Sequence, residues 1–187
     1  MRLVIDTSIF VNPVTQKDFG PDISSAIEIF TGTINSSDIE LFIPSSIYRE
    51  LSNFAPGEAM TVLRKAAIIR GPDLLSMQVP ASILQSFIAD IRERINRGLR
   101  IAEDAIESSN TPESIRRIRN EYRAAMRSGI VDSVEDLDVI LLAKEIGAAV
   151  LSADEGIFRM ADSLGIEVFT SREYIKKFPV GAKYEDR

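Results

Sequence analysis

"RLVIDTS", residues 2–8, decides how this chain is read. Three consecutive apolar residues, Leu3 to Ile5, end on a carboxylate and two hydroxyls. A short unbroken apolar run bounded by polar residues is the pattern of a strand buried on both faces. "AAVLSAD", residues 148–154, repeats the design near the other end of the chain: apolar run, serine, aspartate. "IELFIP" (39–44) and "IEVFTS" (166–171) read as further strands, and helical spacing fills most of the intervals. Strands alternating with helices indicate an α/β domain with a mostly parallel sheet.

Outward from those strands, 12–22 reads as loop, 23–34 as helix and "NSSD" (35–38) as a turn. Ser45 or Ser46 is placed to cap a helix carrying Ile47, Tyr48, Glu50, Leu51 and Phe54, and another helix covers 58–69. "LLSMQVP" (74–80) reads as a strand or an extended connection. Residues 81–107 form one long helical pattern, interrupted by "SSNTPES" (108–114). Thr111 followed by Pro112 is a helix-start signal, and the second helix runs to about Arg127. "SGIVDS" (128–133) breaks it, and the helix over 134–146 stops at Gly147. The segment 81–127 has no strand, so its two helices are expected to form a hairpin insertion projecting from a single α/β domain that spans 1–187. The tail "PVGAKYEDR" reads as loose.

Composition narrows the chemistry. The 187 residues include no cysteine and no histidine. Disulfides, thiol nucleophiles, Ser-His-Asp catalysis and His-ligated zinc are therefore excluded. Carboxylate chemistry with hard cations, Mg²⁺ or Mn²⁺, remains. No apolar run approaches a membrane span and the N-terminus opens directly into a strand, so a cytoplasmic protein with no membrane partner is expected.

Parallel sheets bind ligands at the carboxyl ends of their strands, where Asp6 and Asp154 fall. Each of these acids has a plainer reading as the cap of the following helix. Asp132 and Asp136 are four apart and share a helix face, where like charges repel unless a cation joins them. The plainer reading there is an N-cap at Asp132 or Ser133, with Glu135 or Asp136 three residues on. Asp138, two residues past Asp136, points elsewhere on the helix. Glu50 sits on the helix after the second strand, and a single helical glutamate is ordinarily solvated. Together these acids would repel strongly without metal, and metal-assisted phosphodiester hydrolysis is the natural chemistry for them. Thr7 and Ser8 then serve as hydrogen-bonding support, because no histidine is present to activate them.

"DTS" after the first strand, Glu50, "DLDVILLAKEIG" and "LSADEGIF" resemble the four acidic motifs of PIN-domain metal-dependent ribonucleases. "LVIDTSIFVNP", "INRGLRIAE", "GIVDSVEDLDVILLA" and "VLSADEG" narrow the resemblance to the minimal protein-only ribonuclease P family, RNA-free enzymes once labelled RNA ligase partner proteins. It runs essentially end to end and implies a PIN-like three-layer fold. It also implies Mg²⁺- or Mn²⁺-dependent endonucleolytic removal of the 5′ leader from precursor tRNA, leaving a 5′-phosphate. The acidic site it implies is Asp6, Asp132, Asp136 and Asp154, with Asp6, Asp136 and Asp154 as metal ligands and Asp138 as a further candidate. Dimers building a larger homo-oligomer, such as a dodecamer, through the helical insertion are implied as well. The acidic tail departs from what a family of RNA enzymes suggests.

The insertion carries the positive charge. Arg92, Arg94, Arg97 and Arg100 lie on its first arm, and Arg116, Arg117, Arg119, Arg123 and Arg127 on its second. Against six carboxylates these nine arginines leave residues 92–127 at +3, in a chain that nets −6. Arginine suits phosphate because its planar fork binds bidentately. A solvated helix laced with i,i+4 ion pairs is the plainer reading, and Glu93–Arg97 fits it, whereas Arg119–Arg123–Arg127 has no acid in register. Ile91, Ile95, Leu99, Ala102 and Ile106 form an apolar stripe that suits either the hairpin's other arm or a second subunit. Three other readings compete: a toxin-type PIN ribonuclease, an aspartyl phosphotransferase with Asp6 as nucleophile, and a non-catalytic RNA-binding scaffold. The long insertion counts against the first, and Ser8, where a second acid is wanted, against the second. The third would be marked by a lost acid, and none is lost.

Overall fold

A computed structural model describes residues 1–106, 111–127 and 133–179. These fall into two compact units: Met1–Met77 with the residues from Ser133 onward, and the residues between Gln78 and Asp132.

The first unit is built on five strands: β1 (Arg2–Ile5), β2 (Glu40–Ile43), β3 (Ala67–Ile69), β4 (Ala149–Leu151) and β5 (Val168–Phe169). Their order across the sheet is β3-β2-β1-β4-β5, and every neighbouring pair is parallel. The α/β reading with a parallel sheet holds. Leu3, Val4 and Ile5 of the central strand are completely buried, which is why that stretch is apolar without alternation. Between β1 and β2 lie α1 (Ser8–Val11), α2 (Pro13–Phe19) and α3 (Ile23–Asn35). Between β2 and β3 lie α4 (Ser45–Leu51) and α5 (Gly57–Ala66). Helix α8 (Val134–Ile146) precedes β4, α9 (Glu155–Ser163) joins β4 to β5, and α10 (Ser171–Lys177) follows. Right-handed crossovers that step in opposite directions from β1 and β4 put their helices on opposite faces of the sheet. In keeping with this, α3 packs on α5 while α9 packs on α8, giving three layers. Phe10, Phe19, Phe30 and Tyr174 form an aromatic cluster beneath α2, α3 and α10, with ring centroids 5.5–6.4 Å apart.

Four local expectations are corrected or narrowed. Residues 12–22 are not all loop: Asn12 caps α2 by accepting from the Val14 N–H, and Pro13 occupies the first helical position, where a missing N–H costs nothing. The helix expected over 58–69 ends at Ala66, and the chain passes straight into β3. Of the two readings of 74–80, the strand does not form: the Asp73 side chain accepts from Leu75 and Ser76 and makes a turn over 74–76, and 77–80 is an irregular connection. Neither Ser45 nor Ser46 caps α4; the position is held by Pro44. Helix α8 ends as expected at Gly147, whose left-handed φ of 64° favours glycine.

The second unit is a helical hairpin of α6 (Ala81–Ile106) and α7 (Pro112–Arg127). Thr111 accepts from the Ser114 N–H and so starts α7. Gly98 is where the two helices close on each other: a Cβ there would stand 2.9 Å from both Met126 and Tyr122.

Candidate active site

The candidate site is at the carboxyl ends of β1 and β4, the point at which the sheet order reverses and a crevice opens in folds of this kind. Register sets Ile5 opposite Leu151, so Asp6 and Ser152 leave adjacent strands side by side. Asp6 is 3% exposed. Its Oδ2 accepts from Ser152 Oγ at 2.9 Å and from the hydroxyl of Ser8. Those hydroxyls are themselves fixed by the backbone between β4 and α9: Ser8 Oγ accepts from the Ala153 N–H at 2.9 Å and Ser152 Oγ from the Asp154 N–H at 3.0 Å. Burial pushes the Asp6 carboxyl above its ordinary range, while the bonds from Ser8 and Ser152 pull it back. No cation offsets the burial among the described residues.

The other acids arrive from separate elements. Asp154 is the N-cap of α9, its Oδ1 accepting from the N–H groups of Gly156 at 2.7 Å and Ile157 at 3.1 Å. Glu50, on α4, accepts from Thr7 Oγ1 at 2.6 Å, which ties it to the residue after Asp6. Asp138, on α8, accepts from Ser46 Oγ at 2.5 Å. Asp136 lies in the first turn of α8, where its N–H donates to the N-cap Ser133 at 3.0 Å. Asp132 falls outside the described residues, as do the tail residues from Val180. Asp6 is thus bonded through Ser8 and Ser152 to the backbone that leads into Asp154, Glu50 is tied through Thr7 to the residue after Asp6, and Asp138 reaches the same helix as Glu50.

Among the described residues, no three acidic side chains stand close enough to cage a metal ion as they are held here. Hydroxyls and helix N–H groups hold them instead. Sequence reasoning missed Ser152 and Ser46. A signal for Ser152 existed, since it precedes Asp154 at a strand end in the way that Asp6 ends β1; Ser46 had none.

These features lie within a match to the family described as PINc domain ribonuclease, over residues 2–179. The chain belongs to this family. Curated relatives narrow the placement. A protein of Thermococcus onnurineus (strain NA1) named RNA-free ribonuclease P is 41% identical over 89% of this chain and 88% of its own length. Its namesake in Halorhodospira halophila is 40% identical over 91% and 86%, and that of Alkalilimnicola ehrlichii 37% over 94% of both chains. This PIN-domain chain is an endoribonuclease of the ribonuclease P type.

The hairpin arginines differ in how they are held. Arg94, with a side chain only 13% exposed, pairs with Asp90 at 2.8 Å and donates to the Met126 carbonyl, so it fastens α6 to α7. Arg97 pairs with Glu93 at 4.0 Å and Arg117 with Glu121 at 3.8 Å. Arg92, Arg100, Arg116, Arg119 and Arg123 are exposed. The apolar stripe of α6 does not pack the other arm. Ile95 and Leu99 are 60% and 56% exposed, while Gly98 faces α7 and Arg94 donates to the Met126 carbonyl there. No helix among the described residues is long and apolar enough to cross a membrane.

Proposed function

We propose that the chain removes the 5′ leader of precursor tRNA by metal-dependent hydrolysis, leaving a 5′-phosphate on the mature end. The observation that carries this is similarity of 37–41% over about nine-tenths of the chain to proteins named RNA-free ribonuclease P. The donor set fits a hard cation. Every candidate ligand is an oxygen, and Asp6 is a buried carboxylate that only neutral groups compensate among the described residues: the hydroxyls of Ser8 and Ser152 and the backbone N–H groups of Thr7 and Ser8. Asp6, Asp136 and Asp154 would hold Mg²⁺ or Mn²⁺, with Asp132 and Asp138 completing the acidic site. A bound divalent ion supplies Lewis-acid stabilisation of the charge that develops on the attacking and leaving oxygens. Ser8 and Ser152 keep the Asp6 carboxylate in one orientation, and Thr7 does the same for Glu50. Water adds to phosphorus and the leader's 3′-oxygen departs, which leaves the phosphate on the tRNA side.

The same reading makes 1–187 one nuclease domain of a cytoplasmic protein, with the hairpin as its insertion. The exposed arginines Arg92, Arg100, Arg116, Arg119 and Arg123, with Arg94, Arg97, Arg117 and Arg127 on the same arms, grip the phosphates of the tRNA away from the cut. The exposed stripe of α6, Ile91 to Leu99, joins copies into dimers and those into a larger ring or shell such as a dodecamer. Incubating the protein with precursor tRNA and Mg²⁺ tests the activity, with chelator and Asp6→Asn as controls. Accurate leader release, lost in both controls, is expected; cleavage that survives Asp6→Asn overturns the site.

A further inference from the structure

Helix α4 starts one residue after β2 ends and presents two polar side chains from one face, Ser46 and Glu50, four positions apart. Each reaches a different part of the site. Glu50 accepts from Thr7, next to Asp6. Ser46 donates to Asp138 Oδ2 at 2.5 Å, across 92 positions of sequence. The Ser46 hydroxyl has no duty in its own helix, since Pro44 holds the N-cap and no side chain caps α4. Asp138 in turn makes no ion pair among the described residues. Its carboxylate sits on a half-buried stretch of α8, two positions from Asp136, a spacing that turns the two acids to different sides of the helix.

We infer that Ser46 is a positioning residue of the nuclease: its hydroxyl aims the Asp138 carboxylate at the face of α4 that also carries Glu50, and so toward the loop after β1. The inference rests on the proposed acidic site and adds to it a residue that is not itself acidic. An aspartate side chain on a helix has several rotamers open to it. A charge-assisted O–H···O⁻ bond selects one, because such bonds are short and directional. Helix α4 then works as a spacer. Ser46 fixes α8 at one end, Thr7–Glu50 fixes the end of β1 at the other, and the turn of helix between them sets the separation of the acids. Hydrogen-bond partners that orient the acids around a metal affect metal affinity or activity about 10–100-fold when removed.

The test compares Ser46→Val with Ser46→Thr in the full chain, because these differ by the hydroxyl while sharing shape. Three quantities are read: Mn²⁺ affinity by titration calorimetry without RNA, kcat and KM for precursor tRNA, and Tm. Ser46→Val is expected to weaken Mn²⁺ binding and lower kcat by about tenfold or more, with KM unchanged, while Ser46→Thr stays within about twofold of the parent. Equal behaviour of the two variants, whether both active or both impaired, overturns the inference. Asp138→Asn separates it from the reading on which it stands. If Asp138→Asn cleaves and binds Mn²⁺ normally, Asp138 is not part of the site. If Asp138→Asn is impaired and Ser46→Val is not, the site stands and the positioning role falls.

Discussion

Removing the Ser152 hydroxyl should destabilise the metal-free protein by an amount that grows with pH. Ser152 is completely buried and does two things: it donates to Asp6 Oδ2 at 2.9 Å and accepts from the Asp154 N–H at 3.0 Å. Ser152→Ala leaves Asp6 with the Ser8 hydroxyl and the backbone N–H groups of Thr7 and Ser8, and leaves the Asp154 N–H without its acceptor. A hydrogen bond to a charged group contributes about 1.5–3 kcal/mol and a neutral one about 1 kcal/mol, so the loss near neutral pH is about 2–4 kcal/mol. The sign of the pH effect follows from Asp6. Its folded-state carboxyl is raised above the ordinary 3.8 by burial, with Ser8 and Ser152 opposing the rise. Between 3.8 and the folded value, the native state holds a proton that the unfolded chain has released. Stability from this group is therefore complete below that window and declines as pH rises through it. Without Ser152 the folded value climbs further and the decline is larger. Urea unfolding in the presence of chelator, from about pH 4 to about pH 8, reads the gap between parent and variant; other carboxylates cancel in the difference. The gap should narrow to about 1–2 kcal/mol in acid, where only neutral hydrogen bonds are lost. A gap that is constant with pH would refute the claim that Ser152 acts on the charge of Asp6.

Arg116→Ala, Arg119→Ala and Arg123→Ala combined should weaken precursor tRNA binding and flatten its log–log salt dependence by about 2–3, measured by filter binding at several salt concentrations. Tyr174→Phe should raise stability by about 1 kcal/mol, because the buried phenol oxygen has no hydrogen-bond partner among the described residues while its ring packs on Phe19, Phe30 and Phe178; chemical denaturation checks this, and a loss would mean that the hydroxyl is satisfied. Ile95→Glu with Leu99→Glu should lower the assembly mass seen by light scattering without reducing helix content, since both side chains are more than half exposed in the single chain.

Periodicity made the frame legible where burial is two-sided. Leu3–Ile5, Leu41–Ile43 and Ala149–Leu151 are apolar without interruption, because sheet and helices cover both faces. It failed at β3, where "AII" follows the last helical residue of α5 with no glycine, proline or polar turn to mark the change. Proline misled at α2, since Pro13 looks like a loop residue until Asn12 is seen capping the helix that it begins. Helix α10 escaped because Thr170, read as the end of a strand, is the first member of a capping box with Glu173. The acids of the site could be listed from residue type, but not the hydroxyls that hold them. Ser152–Asp6 and Ser46–Asp138 span 146 and 92 positions, and only the β1–β4 register and the packing of α4 on α8 bring them together.

The cap on α9 divides Asp154 into two halves. Both N–H bonds from the helix end on Oδ1, so that oxygen belongs to the fold, and Oδ2 takes no part in the cap. One carboxylate can therefore serve the architecture through one atom and an incoming ligand through the other. Alanine at this position would remove both services at once and report only their sum. Asparagine, an equally good helix cap, keeps the first and gives up the charge required by the second. The pair of substitutions converts a residue that seems indivisible into two separately measurable contributions, one to unfolding and one to turnover.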